Sequence, residues 1–372
     1  MTAFRFIHTS DLHLGRRFSA LPEEVRGRLQ EARHGSLARL AAAARSHGAA
    51  HVLVAGDVFD SETPSDPVWR QALAAMRAEA DVTWVLLPGN HDSLAAEALW
   101  ERVARQASAN VRPVLEAGVV ELAPGVALLA APATRRHPGR DLTEWMDGAA
   151  AEGLRIGLAH GAVQRFGEDD SHDVIAPDRA ERAGLDYLAL GDWHGRVRIG
   201  PRTWYSGTPE RDRFRHAGRG ECLAVTIAGP GAEPEVAPVT VGVFDWVDAG
   251  LALLPGEDAA AALEAVLPPG GRRDVLLRLR VSGRASLSAR EALLAAATAH
   301  APEFGVFELD DAGLAAEAEP GDLDEIDRAG ALRQAAERLD AEARDETLSA
   351  AEREVARAAL ARLFGLLREG RA

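Results

Sequence analysis

Cysteine is nearly absent from this 372-residue sequence, which contains only Cys222. A single cysteine excludes an internal disulfide and a metal site built on several thiolates, and it favours a reducing, cytoplasmic location. Histidine, aspartate and asparagine remain as the candidate metal ligands. Lysine is missing altogether, and we attribute its complete replacement by arginine to coding bias rather than to chemistry.

Long hydrophobic runs are absent as well. No stretch has the length that a membrane-spanning helix requires, and the first residues lack the apolar segment of a signal peptide. With 47% hydrophobic and 27% charged residues, the composition is typical of a soluble globular protein with a sizeable core. We therefore expect no membrane partner, and the length predicts a large domain accompanied by a smaller one.

A positive charge balance is lacking, because 57 acidic residues outnumber 42 basic ones and the formal net charge is −15. Such a balance argues against a protein that binds DNA by electrostatics alone. The segment 196–219 is an exception, since its seven arginines face only Glu210 and Asp212 as acidic residues. These arginines either contact phosphate groups or form a solvated surface that offsets acidic neighbours, and the sequence supports both interpretations equally.

Short apolar runs closed by glycine or proline recur over the first 240 residues. The predicted strands are Phe4–Thr9, His51–Ala55, Val82–Leu87, Val126–Ala131, Leu154–Ala159, Leu185–Leu190 and Thr203–Ser206. Helical spacing of apolar residues predicts helices over Pro22–Arg45 and Asp66–Ala80. This βαβ order predicts an α/β domain, in which ligand sites lie at the carboxyl ends of the strands.

The pattern changes after residue 240, beyond a Gly- and Pro-rich stretch at 229–238 that is either a hairpin loop or a linker. Strands and helices alternate over 241–320, where Ser288 and Glu291 form a predicted capping box. The residues that follow predict two helices, the second of which opens at Ser349. Its apolar stripe packs against the protein itself or docks a partner helix, and both readings stay open.

Five of the predicted strands are each followed at once by polar residues of the metal-ligand type. The clusters are Ser10-Asp11-Leu12-His13, Gly56-Asp57, Gly89-Asn90-His91-Asp92, His160-Gly161 and Gly191-Asp192-Trp193-His194. Gathered at one edge of a sheet, unpaired carboxylates and imidazoles would repel one another and resist the loss of water. Divalent cations remove that penalty, and the adjacent glycines allow a close approach of the backbone. One such histidine is usually structural, but the full set predicts a metal centre.

The order of these clusters resembles that of the calcineurin-like metallophosphoesterase superfamily. Four longer segments resemble its SbcD branch, the nuclease subunits of double-strand-break processing complexes: His8–Gly15, Val54–Asp60, Pro88–Ser93 and Tyr205–Pro209. The resemblance covers about residues 1–225, and beyond them only the architecture is similar. It implies an α/β four-layer sandwich at 1–240 that carries the nuclease site, a small α+β cap domain at 241–320 and a helical tail at 321–372.

The resemblance also implies two divalent ions. One would be held by Asp11, His13, Asp57 and His194, and the other by Asp57, Asn90, His160 and Asp192. Asp57 would bridge both ions, because a carboxylate has two oxygens to offer. Ligation by oxygen and nitrogen without sulfur suits Mn²⁺, with Mg²⁺, Fe²⁺ or Zn²⁺ as substitutes. The family usually has histidine where this chain has Asp192, whose added charge either favours Mn²⁺ or Mg²⁺ or weakens the second ion.

His91 follows a predicted ligand and is the expected general acid for the leaving oxygen, with Asp92 orienting it. The ion pair would activate a water molecule for in-line attack on a phosphodiester. The residues expected to contact the substrate are Arg16, Asp60, Arg196, Arg211 and Arg213.

The leading functional hypothesis is an SbcD-like exo- or endonuclease of DNA repair that forms a homodimer and works with an SbcC-like coiled-coil ATPase. The acidic balance is consistent with a partner that holds the DNA. The same ligands would also serve a small-molecule or nucleotide phosphodiesterase. A catalytically weak scaffold at DNA ends is the third hypothesis, which Asp192 keeps open.

Overall fold

The structure is a computed structural model that describes residues 3–163, 174–326 and 330–369. Two compact units are present, Met1–Trp246 and Val247–Ala372. No helix among the described residues has both the length and the apolar character needed to cross a membrane.

The first unit contains the seven predicted strands and the two predicted helices, together with five strands and two α-helices that the sequence analysis did not predict. Its strands are β1 Phe4–Thr9, β2 His51–Val54, β3 Thr83–Leu86, β4 Val111–Pro113, β5 Gly118–Ala123, β6 Val126–Ala131, β7 Leu154–His160, β8 Tyr187–Gly191, β9 Val197–Arg198, β10 Thr203–Tyr205, β11 Glu221–Ile227 and β12 Glu235–Thr240. Its helices are α1 Glu23–Ser46, α2 Asp66–Ala78, α3 Glu97–Gln106 and α4 Arg179–Arg182, with a 3₁₀ helix at Glu144–Gly148.

Two six-stranded sheets form the centre of this unit, in the orders β12-β11-β1-β2-β3-β4 and β5-β6-β7-β8-β10-β9. Four neighbouring strands of each sheet are parallel, and antiparallel strands complete the edges. Phe6 and Leu53 of the first sheet share a buried core with Leu128 and Ile156 of the second.

Each sheet is also covered on its outer face. Leu37 and Trp69, from α1 and α2, belong to a core with residues of the first sheet. Met146 of the 3₁₀ helix and Ala180 of α4 belong to a core with residues of the second sheet. Strands buried on both faces explain the unbroken apolar runs in the sequence. The predicted four-layer α/β sandwich is therefore confirmed.

The second unit contains a smaller sheet and most of the remaining helices. The sheet has the order β13-β14-β15, and the elements are β13 Asp245–Leu253, α5 Ala259–Val266, β14 Val275–Ser286, α6 Leu287–His300, β15 Val306–Glu317, α7 Pro320–Ile326, α8 Ala331–Arg344 and α9 Ala350–Glu369. Leu263 and Leu293 pack in a core with strand residues such as Leu277. Ala336 and Phe364 of the helical region lie in a separate cluster.

Local details both confirm and correct the sequence predictions. The stretch at 229–238 contains a hairpin loop, because β11 and β12 on either side pair antiparallel. The cap of α6 is Ser286, whose hydroxyl accepts from the N–H of Ala289, so the predicted cap at Ser288 is wrong. The predicted start of the last helix at Ser349 is confirmed, and reciprocal hydrogen bonds between Ser349 and Glu352 form a capping box there.

The boundaries of the larger segments differ slightly from the expected ones. The first compact unit ends at Trp246, a few residues beyond the expected 240. The tail contains α7 in addition to the two helices that the sequence predicts. The separation of cap and tail into two domains at residue 320 stays a prediction, because both lie within the second unit.

Candidate metal centre

The polar clusters that follow five strands of the first unit meet at one edge of the sandwich. Main-chain hydrogen bonds join the first two clusters, from the N–H of Asp11 to the carbonyl of Gly56 at 3.1 Å and from the N–H of His13 to the carbonyl of Asp57 at 2.9 Å. His160, at the end of β7 in the other sheet, places its Nδ1 2.9 Å from the carbonyl of Ala55. Both sheets therefore contribute to a single site.

Asp57 lies at the centre of this arrangement, and its two carboxylate oxygens face different histidines. Oδ2 is 3.5 Å from His13 Nε2, and Oδ1 is 3.6 Å from His160 Nε2. Three groups of side chains have ligand atoms within 4.8 Å of one another: Asp11 with His13 and His194, Asp11 with Asp57 and His160, and His13 with Asp60 and His91. The carboxylate of Asp57 thus lies between two sets of candidate ligands.

Asn90 and Asp192 complete the second set. The amide of Asn90 donates to Oδ1 of Asp192 at 3.0 Å, and that oxygen lies 3.8 Å from His160 Nε2. The main-chain N–H of Asp192 also donates to the carboxylate of Asp11 at 3.2 Å. The structure therefore brings together all seven residues that the sequence identified as metal ligands.

The backbone at four of these residues has positive φ, a conformation that residues other than glycine rarely adopt. The angles are 54° at Asp11, 43° at His13, 53° at Asp57 and 108° at Asp192. Among the described residues, Phe18 is the only other non-glycine residue with this property. Each such residue costs about 1–3 kcal/mol and persists where function requires the geometry. The concentration of strain at the predicted ligands supports a functional role for the cluster.

Glycine is required where the loops approach one another. A Cβ atom on Gly89 would lie 2.1 Å from Oδ1 of Asp57, and one on Gly56 would lie 2.1 Å from Nδ1 of His160. Neither distance is compatible with the observed positions of these ligands, so a side chain at either glycine would displace a residue of the centre.

The buried charges of the cluster perturb one another strongly. Burial disfavours the charged imidazole of His160, but the carboxylates of Asp57, Asp11 and Asp192 outweigh burial and raise its pKa to about 9. The pKa of Asp57 lies well above its usual value, mainly because the carboxyl is buried. Burial lowers the pKa of His13 to about 4. The ring of His13 is therefore neutral at pH 7, as metal ligation requires.

The imidazoles direct their Nε2 atoms into the centre. Nδ1 of His160 faces a main-chain carbonyl, and Nδ1 of His194 lies 3.0 Å from a carboxylate oxygen of Asp212. The Nε2 atoms of His13 and His194 are 3.2 Å apart. Among the described residues, Nε2 of His160 and Oδ1 of Asn90 are buried without a hydrogen-bond partner. A divalent cation would be the partner of both atoms and would take the place of the proton on Nε2 of His160, and ligating histidines commonly donate their other N–H to a carbonyl or carboxylate.

The two predicted catalytic residues lie beside the cluster. Nδ1 of His91 is 3.1 Å from the carbonyl of Asp60, and its main-chain N–H donates to Asp57 at 2.9 Å. Asp92 was expected to orient His91, but its buried carboxylate accepts the main-chain N–H groups of Phe59 and Gly89 at 2.9 and 2.7 Å. Asp92 therefore stabilises the loop that carries His91, and the ring itself is held by Asp60.

The residues expected to contact substrate occupy different positions around the centre. Arg16 pairs with the carboxylate of Asp60 at 3.2 Å, which places both beside His13. Arg196 and Arg213 are exposed. Arg211 is buried, and its guanidinium donates to the carbonyl of His194. Arg211 thus supports the ligand loop, and its contact with substrate stays a prediction.

Two important residues, Asp212 and Arg33, were not identified from the sequence. Burial by itself raises the pKa of Asp212, but His194, Arg33 and Arg16 outweigh it and hold that pKa far below the usual range. Arg33 of α1 is buried and donates to the carbonyls of Leu12 and Glu210, each at 2.7 Å. Asp212 is inconspicuous within an arginine-rich segment, and Arg33 has the appearance of an ordinary helical arginine, so neither has a distinct signal in the sequence.

Known proteins similar to this chain include a metallophosphoesterase. A family model described as calcineurin-like phosphoesterase matches residues 4–196. The chain is 25% identical over 234 residues to the uncharacterized metallophosphoesterase YhaO of Bacillus subtilis, and the match covers 59% of this chain and 56% of that protein. The chain thus spans about half the length of this relative. TT1561 of Thermus thermophilus, a solved structure, is 13% identical with a TM-score of 0.39, and the match covers 64% of this chain and 100% of that one.

Proposed function

Because the chain belongs to the calcineurin-like phosphoesterase family, we propose that it is a phosphodiesterase that hydrolyses DNA with the help of two divalent ions. The position of Asp57, with one carboxylate oxygen towards His13 and the other towards His160, is the main support for two ions. A carboxylate placed in this way would be able to bridge two adjacent cations, as two-metal phosphoesterases require.

The ligand sets are those that the family resemblance implies. One ion would be held by Asp11, His13, Asp57 and His194, and the other by Asp57, Asn90, His160 and Asp192. The donors are oxygen and imidazole nitrogen only, a set that favours Mn²⁺ over softer metals. When bound, such ions supply Lewis acidity to the phosphodiester and lower the pKa of water at the site.

The side chains around the ions orient the substrate and move protons. His91 donates from Nδ1 to the carbonyl of Asp60, which leaves Nε2 as the atom that delivers a proton to the leaving oxygen. Arg16, which pairs with Asp60 and Asp212, keeps a positive charge beside His13 and contacts a phosphate oxygen. Asp92 holds the loop of His91 in place during these steps.

We also propose that the protein works as a homodimer together with an SbcC-like coiled-coil ATPase. The net charge of −15 supports a partner that contributes the main DNA-binding surface. Helix α9 presents Val355 and Leu366 with 69% and 47% of their surface exposed, and these side chains support a contact of the tail with that partner.

The test is an assay of the purified chain with Mn²⁺ on end-labelled single- and double-stranded DNA. We expect cleavage that EDTA abolishes and Mn²⁺ restores, with about two Mn²⁺ bound per chain. His91→Ala should lower kcat by about 10²–10⁴-fold, the usual contribution of a general acid. His47→Ala, at an exposed position after α1, is the matched control and should retain full activity.

Two outcomes would contradict the proposal. Cleavage of a cyclic or aryl phosphodiester without cleavage of DNA would identify a small-molecule phosphodiesterase. One bound Mn²⁺ per chain and no hydrolysis of either substrate would instead identify a non-catalytic scaffold.

A further inference from the structure

A cavity of about 590 Å³ lies beside the metal centre in the first unit. Trp193, Arg196, His216, Arg219 and Glu221 are among the residues that line it. Trp193 precedes the metal-site residue His194 in the chain, so the wall of the cavity is continuous with the centre.

Aromatic rings form one side of this cavity. The rings of His194 and His216 are stacked, with centroids 6.1 Å apart and planes inclined by 30°. His216 then meets Trp193 edge to face, with ring centroids 5.0 Å apart. Both Trp193 and His216 are only partly buried, so their rings offer apolar surface to a ligand. The series of rings runs from the metal centre into the cavity.

The backbone at Gly195 keeps these rings in place. A Cβ atom at this position would lie 2.9 Å from Nδ1 of His216 and 3.0 Å from Nε1 of Trp193. Any side chain at Gly195 would therefore push apart the two rings, and the aromatic wall depends on glycine there.

Arginine side chains provide positive charge around the rings. Arg196 and Arg219 line the cavity and are exposed. The guanidinium of Arg215 lies 5.0 Å from the centroid of the Trp193 ring. Glu221 binds Arg196 at 3.0 Å, which fixes that guanidinium at the wall. Glu221 and Asp245 are the acidic residues of the wall, against Arg196, Arg211 and Arg219. In a chain with a net charge of −15, this small local surplus of arginine favours a phosphate-containing ligand.

We propose that this cavity binds the nucleotide next to the scissile phosphate of a single-stranded DNA substrate, with the base against Trp193 and His216 and its phosphate near Arg219. The combination of aromatic rings and arginines is the chemistry by which proteins hold single strands without reading their sequence. The proposal rests on the proposed function, because the cavity opens beside the centre that would cleave the strand.

The test measures binding without catalysis, by titration calorimetry in EDTA. The ligands are a thymidine tetranucleotide, an abasic tetramer with the same phosphates, and thymidine monophosphate. We expect the protein to prefer the tetranucleotide over the abasic tetramer by about tenfold, the usual size of one base–aromatic stack. Trp193→Ala should remove this preference, and Trp193→Phe should retain it because it keeps an aromatic face.

Arginine variants test the phosphate contact separately. Arg219→Ala should weaken both tetramers equally, since both carry the same phosphates. Arg198→Ala is the matched control, because Arg198 is exposed, lies over Trp204 and is not part of the cavity wall; it should weaken neither tetramer.

Three results would overturn the inference. Equal affinity of the protein for the two tetramers would exclude a base site, and an unchanged preference in Trp193→Ala would place that site elsewhere. Equal affinity of the protein for thymidine monophosphate and the tetranucleotide would show that the cavity binds a free nucleotide. Failure of the proposed function is visible separately, as a lack of hydrolysis with Mn²⁺ in a protein that still prefers the tetranucleotide in EDTA.

Discussion

The contact between Asp212 and His194 predicts that a residue outside the ligand set controls metal affinity. The carboxylate of Asp212 lies 3.0 Å from Nδ1 of His194 and 3.2 Å from Arg16. It therefore fixes the tautomer and the orientation of the imidazole. Loss of such a carboxylate typically lowers metal affinity by about 10–100-fold, which corresponds to about 1.4–2.7 kcal/mol.

The assay compares Mn²⁺ binding by the wild-type protein, Asp212→Asn and Asp186→Asn. Asparagine at 212 still accepts a hydrogen bond from His194 but removes the negative charge, so we expect the 10–100-fold loss at one of the two ions only. Asp186 is the control, because it is also buried and accepts from the main-chain N–H of Gly231 at 2.6 Å. Its replacement should destabilise the fold and leave Mn²⁺ affinity unchanged. Unchanged affinity in a folded Asp212→Asn protein would refute the reasoning.

The same carboxylate has a predictable effect on acid stability. The pKa of Asp212 is held far below the value of 3.8 that applies to the unfolded chain. A lowered native pKa stabilises the fold above the unfolded value, and this contribution is lost as the pH falls below it. The metal-free wild type should therefore have a higher melting temperature than metal-free Asp212→Asn at pH 6. This difference in melting temperature should shrink below pH 3.8. A difference that grows in acid would contradict the assignment.

Three further predictions concern other parts of the first unit. Gly89→Ala should lower Mn²⁺ affinity by at least about tenfold, because the Cβ of alanine at position 89 would displace Asp57. Unchanged Mn²⁺ affinity would show that the loop adjusts freely. Arg179→Met should lower the free energy of unfolding in urea by about 3 kcal/mol, since the buried guanidinium pairs with Asp141 at 2.7 Å and its removal leaves that partly buried carboxylate without a cation. A loss below about 1 kcal/mol would contradict this prediction. Burial raises the pKa of Cys222 to about 12. A thiol reagent should therefore label the protein at pH 8 only after unfolding. Labelling of the native protein would show that the thiol is accessible.

Hydrophobic periodicity was informative for the main elements because it records burial directly. Strands β1 and β6 have the predicted bounds, since strands covered on both faces are rich in apolar residues, and β6 is apolar at every position. The helices α1 and α2 also lie where helical spacing predicted them. The cap of α6 was predicted two residues too late, because Ser286 and Ser288 both suit a cap and only the fold selects between them.

The ligand set was predictable because each of its members follows a strand. Parallel strands end at one edge of their sheet, so residues after β1, β2 and β3 must lie close together. The sequence pattern placed all five clusters at one edge of a single sheet, and this was wrong, because His160 and Asp192 come from β7 and β8 of the second sheet. The packing of the two sheets decides that convergence, and no local pattern encodes it.

The sequence by itself determined the α/β class, the order of the main elements and the residues able to hold cations, because these depend on local periodicity and on side-chain chemistry. The tertiary structure alone decided which groups surround those residues: Asp212 behind His194, Arg33 beneath the first loop, and Trp193 beside His216. These contacts join segments distant in the chain, and their energies depend on burial and distance, which exist only once the sheets have packed.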